Sequence, residues 1–237
     1  MHDKMLWFNE KIPYLFHGNI VEWDMSKASL SVCEHFGLLD SKEIARMKAL
    51  PKLEREIAMG KHQRGNKEFS NQLLSGIREI RRKFLLANGL NDTNILSLHN
   101  DAVIFNSRKQ IIADIDGIKF HHDNTWDAYI RYGRAEIFYK VDELGNGSLD
   151  FKNVGKDKVQ EHTFGLNKYM IKVIGDIEAY DKNVLKYMRK FQQQYLQDKL
   201  PEYYYSAFGK IGDFKIANLE LFGMMADIVI KEVNSWK

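Results

Sequence analysis

Two aspartates stand where a rigid scaffold can present a carboxylate. Asp24 follows Gly18-Asn19-Ile20-Val21-Glu22-Trp23, a run that alternates like a short strand, and precedes Met25-Ser26, where a helix can be capped. Asp101 lies in the polar tripeptide His99-Asn100-Asp101. Apolar runs flank it on both sides, Ile95–Leu98 and Ala102–Phe105, so it marks the tip of a tight hairpin. Two carboxylates on adjacent strands can hold two divalent ions, and such ions bridge a triphosphate and activate an attacking hydroxyl. Each aspartate also has a plain structural reading, Asp24 as a helix N-cap and Asp101 as a turn residue.

The stretch between the two acids is basic. Residues 41–90 hold twelve lysines and arginines against five glutamates, a net of +7, while the whole chain of 237 residues carries only +3. A local excess of this size is a candidate phosphate-binding surface; the bland alternative is a solvated helix face. The residues expected to meet phosphate or nucleic acid are Arg55, Lys61, Arg64, Lys67, Arg78, Arg81 and Arg82.

The elements that must carry these side chains follow from local pattern. Asp24–Ser26 leads into a helix that Gly37 closes, Asp40-Ser41 starts another, and Pro51 sits where a third can begin. From Leu53 to Asn88 the pattern is helical, with Leu73, Ile77, Ile80 and Phe84 as one buried stripe, a break expected near Gly60–Gly65, and a stop at Asn88-Gly89. Strands are predicted over 110–115, 126–132, 135–141 and 148–154, the last two joined by a turn at Gly145-Asn146-Gly147. Helices follow after Gly165, and Phe214–Val233 is the last. The order is strand, helices, hairpin, meander, helices, which is α+β and not alternating βαβ.

The stretch Glu22-Trp23-Asp24-Met25-Ser26-Lys27-Ala28-Ser29-Leu30 resembles motif A of family A DNA polymerases and single-subunit phage RNA polymerases, with Asp24 and Ser26 at the matching places. The fifth residue after the aspartate is a ribose-excluding glutamate in the DNA enzymes. Here it is the small Ser29, so the resemblance implies a sugar-proximal Ser29 and tolerance of ribonucleotides. Ser97-Leu98-His99-Asn100-Asp101-Ala102-Val103 resembles motif C, displaced by one residue because Asn100 occupies the usual Asp place. Arg55, Lys61, Arg64, Lys67 and Phe69 are of the types found in motif B, at a different spacing. The resemblance covers roughly residues 18–105. It implies a palm-like antiparallel sheet packed on helices, Asp24 and Asp101 as catalytic metal ligands, and Mg²⁺ or Mn²⁺ as cofactor. The whole chain is also similar to small uncharacterised proteins of phages and prophages of Gram-positive bacteria, an impression carried by Leu53-Glu54-Arg55, Asn66–Phe69 and Tyr203–Phe208.

These readings give residues 1–160 as a palm-like α+β core with the basic helical segment 41–90, and residues 161–237 as a helical C-terminal subdomain. The function expected is a phage-type nucleic-acid-binding protein, acting as a minimal two-metal nucleotidyltransferase on nucleoside triphosphates. The alternatives are a non-catalytic protein that binds nucleic acid or a host protein, and a phage assembly protein. The single cysteine, Cys33, excludes an internal disulfide and a multi-cysteine zinc site, and fits a reducing, cytoplasmic compartment. No apolar run approaches the roughly 18–20 residues of a membrane span, so no membrane partner is expected. His121-His122-Asp123 is a weak metal signal, because neighbours on a strand point to opposite faces. Asp114 and Asp116 read as a solvated strand edge, Asp142–Asp150 as a hairpin turn, and Tyr203–Tyr205 with Phe208 as a core or interface cluster rather than a base-stacking one.

Overall fold

A computed structural model describes residues 4–153, 164–201, 204–205 and 213–236; of these, the side chains of 164–166 and 213–218 are not described. The fold is α+β. The described residues form ten strands: β1 (Leu6–Phe8), β2 (Tyr14–Leu15), β3 (Ile20–Met25), β4 (Ile95–His99), β5 (Ala102–Asn106), β6 (Asp114–Ile115), β7 (Ile118–Trp126), β8 (Ala128–Tyr132), β9 (Ala135–Val141) and β10 (Gly147–Lys152). The helices are α1 (Ala28–His35), α2 (Ser41–Ala49), α3 (Lys52–Gly65), α4 (Lys67–Ala87), α5 (Phe164–Glu178), α6 (Val184–Leu196) and α7 (Asp213–Ser235).

The chain forms two compact units. The first holds residues 1–12 and 20–125, and the second holds 13–19 and 126–237. Hydropathy alone suggests a boundary near residue 160, whereas the backbone divides at Trp126. The predicted strands 126–132, 135–141 and 148–154 therefore belong with the C-terminal helices, and 110–115 with the first unit.

The first unit is built on a sheet of order β1-β4-β5-β3-β7-β6. Strand β3 pairs antiparallel with β5, and β5 with β4, so the hairpin lies directly beside the strand that carries Asp24. Helix α4 covers this sheet with the stripe expected from its spacing. Phe84 stacks on Phe120 of β7 at 4.1 Å and meets Phe105 of β5 and Trp23 of β3 at 6.4 Å each. Leu73, Ile80 and Phe84 are fully buried in this core with Val32 and Cys33 of α1. The caps follow local rules. Asp40 accepts from the Glu43 amide at the start of α2, Asn66 accepts from the Phe69 amide at the start of α4, and Gly89 takes a positive φ just past its end.

The second unit pairs β10-β9-β8-β2 in one sheet. Its core is aromatic: Tyr169, Phe191 and Phe222 pack on one another with centroids 4.4–5.6 Å apart. Tyr204 lies edge-on to Phe191 and Tyr205 stacks on Tyr195, so the described part of the tyrosine cluster is packing. Tyr203 and Phe208 lie outside the described residues. No helix among the described residues is long and apolar enough to cross a membrane.

Candidate functional site

Asp24 is the fifth residue of β3, not a helix N-cap. The N-cap of α1 is Lys27, held in the left-handed region at φ 52° with no side-chain cap. Between them the chain turns through Ser26, whose amide donates to the Lys119 carbonyl of β7 and whose carbonyl accepts from Ser31 Oγ. A lysine at positive φ costs on the order of 1–2 kcal/mol relative to ordinary backbone. Such residues persist where neighbouring structure over-determines them, and they cluster at ligand sites.

Asp101 sits in the two-residue turn between β4 and β5, after Asn100 at φ 44°. In the sheet Asp24 faces Ala102, the residue after Asp101, and the Met25 amide donates to the Asp101 carbonyl at 3.3 Å. The two acids separated by 76 residues of sequence are thus brought to one end of adjacent strands.

Both line a cleft of about 720 Å³, within the size range of small-molecule sites. Its floor is the β3–α1 turn, including Ser26, Lys27 and Ser29. One wall is the face of α3 that carries Lys52, Arg55, Met59 and Gln63, and the far side is β7 with His121 and Asp123. The cleft is acidic at the sheet and mixed along α3, where Glu56 lines it beside Lys52 and Arg55. His121 Nδ1 lies 3.0 Å from Ser26 Oγ. His122 points the other way, to Thr125 Oγ1 and the Trp23 ring.

The electrostatics of the pair follow from burial. Asp24 is pushed up to about 6, chiefly by desolvation and then by the neighbouring charge of Asp101; His121 pulls in the opposite direction. Asp101 is also raised by burial, against which its own backbone amide, Arg81 and His121 act. Asp24 Oδ1 is buried and accepts no hydrogen bond among the described residues. A buried carboxylate oxygen without a donor calls for a proton or a cation. Among the described residues no cluster of three or more His, Cys, Asp or Glu is arranged to hold a metal. Four carboxylates line the cleft, Asp24, Glu56, Asp101 and Asp123, and of these Asp24 and Asp101 meet at the ends of adjacent strands.

The structure separates the basic residues named from the sequence. Arg55 lines the cleft, together with Lys52 and Lys27. Lys61, Arg64, Lys67 and Arg82 are exposed on α3 and α4 and do not line it, and Arg78 donates back to the Leu74 carbonyl. Arg81 is a correction: it is 0% exposed, and its guanidinium donates to backbone carbonyls, so no phosphate reaches it. Phe69 of the motif B-like stretch is buried in the core. Asp114 accepts the Gly117 amide and Asp116 pairs with Lys83, both away from the cleft. Asp142 accepts the Leu144 and Asn146 amides as an ordinary turn residue. Cys33 is buried, and desolvation pushes its thiol up to about 11, which makes it inert.

Sequence reasoning counted Lys52 in the basic segment and Lys27 in the motif A-like stretch without giving either a place in the site, and it set His121 and Asp123 aside. The two β7 residues share a face at the period of two, which was the available signal.

Residues 1–234 match the family model described as Bacteriophage PBS1 gene 130 protein, and the chain belongs to that family. No curated protein matches the chain.

Proposed function

We propose that this member of a phage protein family binds divalent cations and a nucleoside polyphosphate in the Asp24–Asp101 cleft, as a minimal nucleotidyltransferase that acts on nucleic acid. The observation that carries the reading is the carboxylate pair itself. Asp24 and Asp101 sit at the same end of neighbouring strands, and one buried oxygen of Asp24 has no donor among the described residues. The strand order β4-β5-β3-β7 supports it, since a hairpin beside the motif A-like strand is the adjacency that the polymerase resemblance requires.

Asp24 and Asp101 would hold Mg²⁺ or Mn²⁺. Bound there, the ion supplies positive charge to the phosphates and makes an attacking hydroxyl more acidic. The chain's own residues do the rest. Lys52 and Arg55 line the α3 wall beside Glu56, where they neutralise phosphate charge. Ser29 lines the floor and leaves room for a ribose hydroxyl. His121 lies within hydrogen-bond distance of Ser26 and favours the charged form of both acids.

The test has two arms. Mn²⁺ is expected to raise the melting temperature of the wild type and leave Asp24→Asn unmoved. Labelled NTPs are expected to be incorporated on primed or unprimed templates by the wild type and not by Asp101→Ala. A wild type that neither responds to Mn²⁺ nor incorporates nucleotide overturns the reading.

A second reading has its own observation. Leu53 and Ile57 stand one turn apart on α3 and are 68% and 46% exposed. Such a pair fits contact with a protein, in which case the family member acts by binding a host protein without catalysis. Leu53→Asp with Ile57→Asp then abolishes function while the Asp24 and Asp101 variants retain it.

A further inference from the structure

We propose that Arg81 is a positioning residue for the carboxylate pair, locking the Asn100–Asp101 hairpin tip in the conformation that brings Asp101 beside Asp24. This rests on the cation reading of the cleft and names a further residue on which that site depends.

Arg81 lies inside the buried stripe of α4 and is fully buried. A guanidinium in that position is costly unless its donors are matched. Here the two terminal nitrogens are matched to the backbone. Nη1 donates to the Asn100 carbonyl at 2.6 Å and to the Met5 carbonyl at 3.3 Å, and Nη2 donates to the Lys4 carbonyl. The Asn100 carbonyl belongs to the peptide that leads into Asp101. Asn100 is left-handed, and its own amide donates to the Met5 carbonyl at 2.6 Å. The tip is therefore pinned by α4, by the residues before β1, and by the Met25 amide on the Asp101 carbonyl.

Tethering the N-terminal segment does not by itself require a buried charge, because β1 already pairs with β4 along Leu6–Phe8. What the guanidinium adds is a planar fork that reaches three acceptors at once, together with a positive charge close to the acids. That charge acts on Asp101 against the effect of burial and of Glu22. Groups that hold a ligating carboxylate in place typically change metal affinity by about 10–100-fold when removed.

The experiment titrates the full chain with Mn²⁺, reading free ion by electron paramagnetic resonance, for the wild type, Arg81→Lys and Arg81→Met. Asp24→Asn serves as the reference without a site, and near-ultraviolet circular dichroism reports folding. A folded Arg81→Lys or Arg81→Met that binds about 10–100-fold more weakly than the wild type is the expected result. A folded variant that binds as tightly as the wild type overturns the role of Arg81 and leaves the cation reading standing. A wild type that binds no Mn²⁺ overturns the cation reading, and this role with it. If neither variant folds, hydrogen exchange in the wild type decides. An Asn100 amide equally protected before and after Mn²⁺ supports a tip set in advance by Arg81. Protection that arises only with Mn²⁺ overturns it.

Discussion

Asp24 is an acid in a place that does not suit its charge. Burial and the nearby Asp101 raise it from the ordinary 3.8 to about 6. Between those two values the folded chain keeps a proton that the unfolded chain has released. Stability therefore falls as pH rises through that window, and the loss is complete above it. Asn is nearly isosteric and carries no charge, so Asp24→Asn escapes the loss. The variant is expected to melt above the wild type at about pH 7–8, with the gap closing toward about pH 4 as Asp24 protonates. A gap that stays constant across that range, measured by thermal melts in metal-free buffer, counts against the burial account. Added Mn²⁺ is expected to narrow the gap at neutral pH by raising only the wild type, because the cation does for the carboxylate what the proton does at low pH. Loss of activity and gain of stability in one substitution is the signature of a residue held in place for function.

At the scale of elements, the site depends on how closely α1 and α4 approach, since α1 begins at the cleft floor. Gly76 makes that approach: a Cβ placed there would come within 2.5 Å of Val32 Cγ1 and 3.0 Å of the Phe36 ring. Gly76→Ala is expected to cost roughly 1–3 kcal/mol in urea unfolding, despite the better helix propensity of alanine. A neutral or stabilising result means that α1 shifts freely. The elements that sequence made legible are those with local signatures. The hairpin around Asn100-Asp101 showed two apolar runs and a polar tip. The helices showed their starts at Asp40 and Pro51, a break near Gly60–Gly65, and a stop at Asn88-Gly89. The α4 stripe appeared at its expected spacing. Strand β7 was missed because only Ile118, Phe120 and Trp126 of its nine residues are buried, and the polar stretch between them reads as loop. With β7 went the place of His121 and Asp123, the far side of the cleft. Arg81 was misplaced for the opposite reason. A basic residue on a helix reads as solvated, although its positions relative to Ile77 and Phe84, four before and three after, already put it inside the apolar stripe.

At the scale of the molecule, the modest charge of +3 conceals how the cations of residues 41–90 are used. Arg46 pairs with Glu43, Lys48 with Glu34, and Lys83 with Glu79 and Asp116, while Arg81 is buried. Arg55 and Lys52, the latter 4.0 Å from Glu56, reach the cleft, joined by Lys27 from outside the segment. The +7 is therefore not a uniform phosphate-binding face. This distinction can be measured, because each phosphate neutralised releases counterions and contributes about −0.7 to −0.9 to the slope of log affinity against log salt. Binding confined to Lys27, Lys52 and Arg55 predicts a slope of about −2 to −3 for a labelled oligonucleotide followed by fluorescence anisotropy. Engagement of the whole basic segment predicts about −5 to −6. The cleft reading further requires that Arg55→Glu weaken binding at every salt concentration, while Arg82→Glu, on an exposed position away from the cleft, leaves the slope unchanged. A steep slope with equal sensitivity at both positions moves nucleic-acid recognition to the outer faces of α3 and α4. In that case the carboxylate cleft would be left for the nucleotide alone.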